Sequence, residues 1–422
     1  MMPLCFSGCA VNPVTGENQL MLVSRSQEIA IDRQRSKFQF SSDYGITRDE
    51  KINDYIGEVG RKLLPYVQRP DMPYNFHCVN ATYINAYAFP GGSIAATRGI
   101  LLKLDNEAQL ASLIGHELGH VNARHTAQQI SKGQIASIIV GGLVLAADSR
   151  NSGLGNVARK LGMLGQGLLL SKYSRDHERQ ADFLGNAYMV KAGYSSRGFV
   201  QLMQMLNSLH KKKPDSTQIL FSSHPMSSER LAAALAREKG MYEASINHML
   251  GHERFMDRTS SLRAKKKGIE LLQHGESFLG QKKYAMAEKV FTDAVNEIKN
   301  DYTAHVLMAK CLVLEKKASK ALPYADKAKQ LYPGEAQGYF VSGLANLGLK
   351  HWTDAYQDFE SCDNVLPGNP QVTFYKGYCL EKNGQSSPAA SAYMAYLKQV
   401  GYQPGKYSKY AYDRLKKWGY IN

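Results

Sequence analysis

A 34-residue periodicity in the last third of the chain constrains its fold more than any other feature of the sequence. Small residues recur at this interval at two positions, and a third position is mostly bulky and apolar. The first position holds Gly275, Ala309, Gly343 and Gly377, the second Ala287, Ala321, Ala355 and Ala389, and the third Phe291, Ala325, Phe359 and Tyr393. Periods of this length indicate a repeat architecture in which stacked units share a continuous core.

These positions resemble the tetratricopeptide repeat, in which the two helices of each unit cross closely at small residues. We predict about four repeats over residues 262–402, the first and last degenerate, followed by a capping helix over 403–422. Such a solenoid offers a face for a protein partner. Its many tyrosines either line that face or pack between helices, and packing is the favoured interpretation. Examples are Tyr339, Tyr356, Tyr375 and Tyr378.

The composition predicts an ordinary globular protein of more than one domain. The chain has 422 residues, of which 44% are hydrophobic and 21% charged, and one core seldom organises that length. The formal net charge is +15, but much of it lies in lysine clusters such as 211–213 and 265–267, without interleaved aromatic residues. We therefore expect a solvated basic surface and no nucleic-acid partner.

The six cysteines form no CxxC pair, so a cysteine-based metal site is not indicated. A disulfide between Cys362 and Cys379 is conceivable in an oxidising compartment, with Cys311 left over. Sequence alone leaves the pairing open.

The middle of the chain carries an HExxH motif that begins at His116 and ends at His120. Residues four apart share one face of a helix, so the two imidazoles can bind one ion, with Glu117 on the adjoining edge. The sequence from Glu107 to Ile130 contains no proline, which predicts one long helix around the motif.

A catalytic zinc ion takes three protein ligands and keeps one position for water. The metzincin spacing would place a third histidine ten residues after His116, where the chain has Thr126, so no third histidine follows at that spacing. His125 lies off the metal face and is expected to form a local hydrogen bond. Glu178 and Asp182, again four apart, are better candidates. One carboxylate can bind the ion while the other accepts a hydrogen bond from a ligand histidine.

Two further segments predict strands beside the motif. Residues 74–80 alternate in the manner of a strand, and residues 86–89 and 93–97 flank a Pro-Gly-Gly turn, which predicts a hairpin.

In combination, these motifs resemble the gluzincin peptidase family M48. They are the HExxH sequence, Glu178 to Asp182 as ExxxAD, Asn85 to Gly92, Thr97-Arg98-Gly99, Ser223-His224-Pro225 and Ser228-Glu229-Arg230. The resemblance implies an α+β, mainly helical protein. A zincin-like metalloprotease domain with a small sheet, over residues 23–258, would precede the helical solenoid.

The resemblance also implies a role for each site residue. His116, His120 and Glu178 would bind one zinc ion per chain, Glu117 would be the general base, and Asp182 would orient a ligand histidine. The segment formed by Asn85, Ala86, Tyr87, Ala88 and Phe89 would be an edge onto which substrate pairs as an added strand.

The role of His224 stays open. It would either donate to the developing oxyanion or latch the open zinc position. The alternative is that it merely orders the loop before Pro225.

The N-terminus resembles the end of a bacterial lipoprotein signal, because Phe6-Ser7-Gly8 precedes Cys9. We interpret residues 1–22 as a lipoprotein-signal-like tail, and an uninformative tail is the alternative. Lipidation of Cys9 would associate the protein with a membrane. With the periplasmic family members that assist β-barrel assembly as guide, we expect a periplasmic protein, anchored to the outer membrane through Cys9, that cleaves unfolded or misassembled envelope proteins.

A second function is a chaperone or adaptor of outer-membrane protein assembly, with the repeats binding a partner and the zinc site latched. An intramembrane protease is excluded, because the sequence has no apolar span of about twenty residues.

Overall fold

The computed structural model describes residues 9–139 and 172–421, and these form two compact units. Residues 9–36, 46–139 and 172–266 make up the first unit, and residues 37–45 and 267–421 the second. Both are mainly helical and the first also contains a small sheet, which confirms the predicted α+β class.

The first unit combines short strands with helices that range from one turn to several. Its strands are β1 (Cys9–Val11), β2 (Asn18–Leu20), β3 (Asn75–Val79), β4 (Ala86–Ala88) and β5 (Ser93–Thr97). Its helices are α1 (Arg25–Ser42, whose last six residues are counted with the second unit), α2 (Glu50–Leu63), α3 (Arg98–Leu101), α4 (Glu107–Asn122), α5 (His125–Ile139), α6 (Arg175–Lys191), α7 (Arg197–Lys212), α8 (Gln218–Ser223), α9 (Ser228–Lys239), α10 (His252–Arg258) and α11 (Ser260–Ala264).

The three-stranded sheet has β5 at its centre. β3 pairs with β5 in parallel, and β4 pairs with it in antiparallel register, so that Ala86 lies opposite Ala96 and Ala88 opposite Ile94. The predicted hairpin is therefore confirmed. Its turn contains Gly92 with φ of 110°, a conformation that residues with a Cβ seldom adopt. β4 is left at the edge of this sheet.

The prediction of one helix from Glu107 to Ile130 is wrong, because the chain breaks between α4 and α5. Arg124 has φ of 59°, in the left-handed region, which ends α4. Its guanidinium donates to the Val23 carbonyl at 2.7 Å and to Glu28 at 3.2 Å. These contacts with residues about a hundred positions earlier in the sequence stabilise the left-handed conformation, which no nearby glycine or proline would have predicted.

The second unit consists of consecutive helix pairs followed by one more helix. They are α12 (Lys266–Gly280) with α13 (Tyr284–Glu297), α14 (Tyr302–Leu314) with α15 (Ala318–Leu331), α16 (Ala336–Leu349) with α17 (Trp352–Val365), α18 (Pro370–Lys382) with α19 (Ser386–Gln399), and α20 (Lys406–Lys417). This arrangement confirms the predicted helical repeat solenoid.

In each repeat, a small residue on the first helix packs against the residue sixteen positions later on the second helix. A Cβ added at Gly275 would lie 2.2 Å from Cε1 of Phe291. At Gly343 it would lie 2.8 Å from the Phe359 ring. In the second repeat both positions are alanine, and Ala309 and Ala325 pack in one buried cluster. A glycine on the first helix thus makes room for an aromatic ring on the second helix. Where the second helix carries alanine instead of a ring, the first helix carries alanine too.

Residues 37–45 belong to the second unit, although the sequence places them within the protease segment. The Tyr44 hydroxyl donates to Glu276 at 3.2 Å, and the ammonium of Lys310 lies 4.6 Å from the centre of the Tyr44 ring. Glu276 and Lys310 are one repeat apart, so they occupy the same position on the first helices of two consecutive repeats. This segment therefore covers part of the first-helix face of the solenoid.

The four tyrosines that the sequence singled out in the solenoid are half-buried and pack between helices, as the favoured interpretation expected. Tyr339, Tyr356 and Tyr375 pack against one buried cluster, and Tyr378 packs against the next. Cys362 and Cys379 share the first of these clusters as free thiols.

The N-terminal tail is described only from residue 9. β1 and β2 pair in antiparallel register, with Cys9 opposite Leu20, and the rest of the lipoprotein-like segment, residues 1–8, lies outside the described residues. In the described ranges, none of the helices has both the length and the hydropathy that crossing a bilayer demands.

The repeat geometry predicts that Gly275→Ala destabilises the chain. The new methyl group would meet the buried Phe291 ring at 2.2 Å, and overpacking of this kind costs about 1–3 kcal/mol. That loss outweighs the gain of about 1 kcal/mol in helix propensity. Thermal unfolding should show a lower Tm. Gly334→Ala is the matched control, because its Cβ would meet its nearest neighbour, Tyr332, only at 3.8 Å. Equal Tm values for the two variants would contradict the predicted steric clash.

Candidate metal centre

Helix α4 carries the HExxH residues and is buried along its whole length. The side chain of Asn106 accepts a hydrogen bond from the Gln109 amide at 2.9 Å and caps the helix N-terminus. His116, Glu117 and His120 are at most 5% exposed. Buried imidazoles need partners, so the surroundings of this helix decide what the motif can do.

Helix α6 crosses α4 at a distance set by glycines. A Cβ at Gly185 would lie 2.6 Å from the backbone nitrogen of His116, and one at Gly115 would lie 2.8 Å from the Gly185 carbonyl oxygen. One turn on, a Cβ at Gly119 would lie 2.9 Å from Cα of Ala181. The backbones are therefore in direct contact. This crossing brings Glu178 and Asp182 of α6 to the two histidines of α4.

Four side chains converge at the crossing, namely His116, His120, Glu178 and His224, and their candidate ligand atoms all lie within 4.8 Å of one another. The Nε2 atoms of the first two are 3.0 Å apart. The Glu178 carboxylate lies 3.4 Å from Nε2 of His120 and 3.6 Å from Nε2 of His116. The structure thus brings together the three predicted metal ligands and the histidine whose role was left open.

The spacing of these atoms fits a zinc ion. Two ligand atoms at about 2.0–2.1 Å from a tetrahedral ion are separated by about 3.3 Å. The observed separations among the predicted ligand atoms, 3.0 to 3.6 Å, bracket that value. Two imidazole nitrogens and a carboxylate are also the donor set of a catalytic zinc site.

Asp182 and Arg230 surround the ligands. Oδ1 of Asp182 lies 2.9 Å from Nδ1 of His116. Arg230 donates two 2.7 Å hydrogen bonds to Asp182 and also lies 2.7 Å from Glu178. Arg230 has no role in the predicted site. Its only signal was its place in a Ser-Glu-Arg motif downstream of the site.

His224 follows α8 and points into the cluster. Its Nδ1 lies 3.0 Å from Glu178 and 3.4 Å from Nε2 of His116, and its Nε2 lies 3.9 Å from Glu117. Burial lowers the pKa of His224, but the carboxylates of Glu178 and Glu117 outweigh it, so the pKa is raised.

An aromatic ring that the sequence did not single out covers the other side of the cluster. Tyr173 stacks on His120 with ring centres 3.8 Å apart and an angle of 19° between the planes. Its hydroxyl lies 3.1 Å from that of Thr126. This contact restrains the plane of the His120 ring.

His125 forms the local contact that the sequence predicted, and its partner is the candidate ligand His120. The two Nδ1 atoms are 2.8 Å apart, and Nε2 of His125 lies 2.9 Å from Oε1 of Gln180. Burial, with the nearby His177, lowers the pKa of His125 to about 3. Its ring is therefore neutral at physiological pH.

The pKa values of the two glutamates of the site are shifted in opposite directions. Burial raises the pKa of Glu117, and the nearby histidines His224 and His116 offset this only in part. Burial acts on Glu178 too, but Arg230, His224 and His116 together outweigh it and hold the pKa of Glu178 well below its usual range. One carboxylate is thus kept ionised, as a metal ligand requires, while the other is poised to exchange a proton.

A cleft beside Glu117 joins the site to apolar side chains. Ala86 of the edge strand and His224 lie on its wall with the catalytic helix. Its apolar lining comes from Leu202, Met203, Leu206, Leu220, Phe221 and Met226. Close by in sequence to Ala86, the side-chain amide of Asn85 is fully buried and has no hydrogen-bond partner among the described residues.

The geometry of these residues is that of an HExxH metal site. Residues 50–238 match the family described as Peptidase family M48.

The relatives of the chain bear protease names. A putative beta-barrel assembly-enhancing protease of Vibrio cholerae is 28% identical over 200 residues, which cover 46% of this chain and 40% of that protein. Metalloprotease YcaL of Escherichia coli is 32% identical over 158 residues, which cover 37% of this chain and 59% of that protein. The match thus spans about two fifths of the length of the first relative. Among solved structures, MamA of Desulfovibrio magneticus RS-1 covers 42% of this chain and 95% of its own at 17% identity, with a TM-score of 0.32.

The contacts of Arg230 predict that Arg230→Met strongly destabilises the metal-free protein. The substitution leaves Asp182 and Glu178 buried without their cation, and breaking a buried ion pair in this way costs about 3–5 kcal/mol. Denaturant unfolding measures the effect.

Arg179→Met is the control for this prediction. Arg179 also pairs with a carboxylate, Asp176, but its side chain is 54% exposed, and exposed pairs contribute about 0–1 kcal/mol. Similar unfolding free energies for the two variants would show that Arg230 does not stabilise the site.

Proposed function

We propose that this chain is a zinc-dependent endopeptidase that hydrolyses peptide bonds of unfolded or misassembled proteins of the bacterial envelope. The observation that carries the proposal is the convergence of His116, His120 and Glu178, with ligand-atom separations of 3.0 to 3.6 Å, beside the buried Glu117. Those residues would hold one zinc ion per chain. A bound zinc ion supplies Lewis-acid activation of water and of the scissile carbonyl.

Glu117 would act as the general base. It takes a proton from the attacking water and returns it to the leaving amine. Its raised pKa supports this role, since a carboxylate titrating closer to neutral pH accepts and releases a proton more readily. Asp182 would hold Nδ1 of His116, from which it lies 2.9 Å away, and so fix the direction of Nε2.

Substrate would bind as an extended strand beside residues 85–89. β4 lies at the edge of its sheet, a position from which main-chain groups can pair with an added strand. The unpartnered side-chain amide of Asn85 would then bond to the substrate backbone. The apolar cleft next to Glu117 would accept one apolar substrate side chain.

His224 would be a fourth ligand of the zinc ion in the resting protein. Its Nδ1 is as close to Glu178 and His116 as the predicted ligand atoms are to one another. Withdrawal of His224 would open the position needed for water, and its imidazole could then donate to the oxyanion.

The envelope location is proposed from the relatives, because the first of them is named for β-barrel assembly. The solenoid would recruit substrate or an assembly partner. Cys9 would carry the lipid that anchors the chain to the outer membrane.

A second candidate function is a chaperone or adaptor of outer-membrane protein assembly with a mostly silent zinc site. The position of His224 within the ligand cluster favours it, because a latched ion hydrolyses nothing.

Glu117→Gln tests the proposed reaction. The amide cannot accept the proton, so hydrolysis of an unfolded protein such as reduced casein should fall by at least about 100-fold. The zinc content should stay that of the wild type, because Glu117 is not a proposed ligand. Glu229→Gln, at a side chain that is 66% exposed, serves as control. Undiminished cleavage by Glu117→Gln would contradict the assignment of the base.

His224→Ala tests the latch. Removing the fourth ligand should raise the rate of casein hydrolysis several-fold while zinc remains bound. His248→Ala, an exposed histidine of the same unit, is the control. An unchanged rate would remove the latch, and a lower rate would favour oxyanion donation.

A further inference from the structure

The two candidate ligand histidines of α4 are supported in different ways. Each turns Nε2 toward the metal cluster and Nδ1 away from it. Nδ1 of His116 faces the carboxylate of Asp182, which the sequence had marked. Nδ1 of His120 faces another histidine, His125, at 2.8 Å.

We propose that His125, fixed by Gln180, is the positioning residue for His120. This inference rests on the proposed zinc site. It assigns a function to a histidine and an amide that lie outside the set of metal ligands and do not touch the reacting atoms.

The break between α4 and α5 is what makes the contact. In a continuous helix, the residue five places after His120 would lie about 140° further around the axis and point elsewhere. Instead the left-handed conformation of Arg124 redirects the chain, and the ring centres of His120 and His125 come within 5.0 Å. A non-glycine residue in this conformation costs about 1–2 kcal/mol. The contacts of Arg124 with Glu28 and Val23 hold it there.

The hydrogen bonds allow one assignment of protons when His120 binds a metal through Nε2. The proton of a neutral imidazole then sits on Nδ1, so His120 donates and Nδ1 of His125 accepts. The proton of His125 is therefore on Nε2, where it donates to Oε1 of Gln180 at 2.9 Å. Every donor in this series of hydrogen bonds therefore has an acceptor, and the side-chain carbonyl oxygen of Gln180 is the last acceptor.

The residues around His125 hold these hydrogen-bonded side chains in place. His125 is fully buried, and His177 stacks on it with ring centres 4.2 Å apart and an angle of 13°. Gln180 lies on α6 between Glu178 and Asp182. One helix thus supplies a metal ligand, the partner of His116 and, through His125, the support of His120. Partners of this kind fix the tautomer and direction of a ligand histidine.

Metal binding in the full chain tests the proposal. His125→Phe keeps a ring for stacking but removes the acceptor, and it should weaken Zn²⁺ affinity about 10–100-fold in chelator competition. The visible spectrum of the Co²⁺-substituted protein should change as well, because the His120 ring is no longer held. His125→Asn places an amide oxygen where Nδ1 was and should recover most of the affinity.

Two further variants separate positioning from packing. Gln180→Leu should weaken Zn²⁺ affinity in the same direction, whereas Gln180→Glu keeps an acceptor and should not. His177→Phe keeps the stacked ring without touching the ligands, so its affinity and Co²⁺ spectrum should match those of the wild type. The Tm of each metal-free variant shows whether the fold survives.

The inference is overturned if His125→Phe binds Zn²⁺ like the wild type with an unchanged Co²⁺ spectrum. It is also overturned if His125→Asn is as weak as His125→Phe while both metal-free proteins lose the same Tm, because His125 would then only fill space. These results differ from failure of the proposed function, in which the wild-type chain itself binds no Zn²⁺.

Discussion

The metal centre depends on one constraint, the direct backbone contact between α4 and α6. At Gly115 and Gly185, neither helix has room for a single added carbon atom, and Gly119 repeats the condition one turn later. At this distance short carboxylate side chains reach imidazoles on the neighbouring helix. A separation larger by a methyl group would stretch the ligand spacings of 3.0 to 3.6 Å beyond what a tetrahedral ion can bridge.

The buried charges at the crossing favour a bound cation. Glu117, Glu178 and Asp182 are buried and together carry three negative charges when ionised, and Arg230 supplies one positive charge among them. Buried carboxylates without compensation would take up protons. A divalent ion would compensate the carboxylates that Arg230 and His224 leave unbalanced, so the site fits zinc in charge as well as in geometry. Arg230 compensates part of this negative charge when the metal is absent, because it contacts both Glu178 and Asp182.

Sequence patterns predicted the parts of this molecule that repeat at short, regular intervals. Spacings of four gave the paired histidines and the paired carboxylates, and the interval of 34 gave the helix pairs of the solenoid. The end of α4 escaped prediction, because Arg124 adopts its conformation through contacts with Glu28 and Val23 rather than through its own chemistry. Arg230 escaped for a similar reason. An arginine on an amphipathic helix is normally predicted to be exposed, and only the tertiary structure shows that Arg230 contacts two buried carboxylates.

The solenoid shows the same difference between local pattern and distant contact. Its small residues and rings are matched within each repeat, so its helix pairs can be derived from the sequence. The cover over Glu276 and Lys310 cannot, because residues 37–45 lie more than 200 positions away from both. Residues 37–45 cover part of the surface that the solenoid could offer to a protein partner. The first-helix face is already taken up by Tyr44 in the first two repeats. A partner that used this part of the first-helix face would have to compete with a segment of the chain itself.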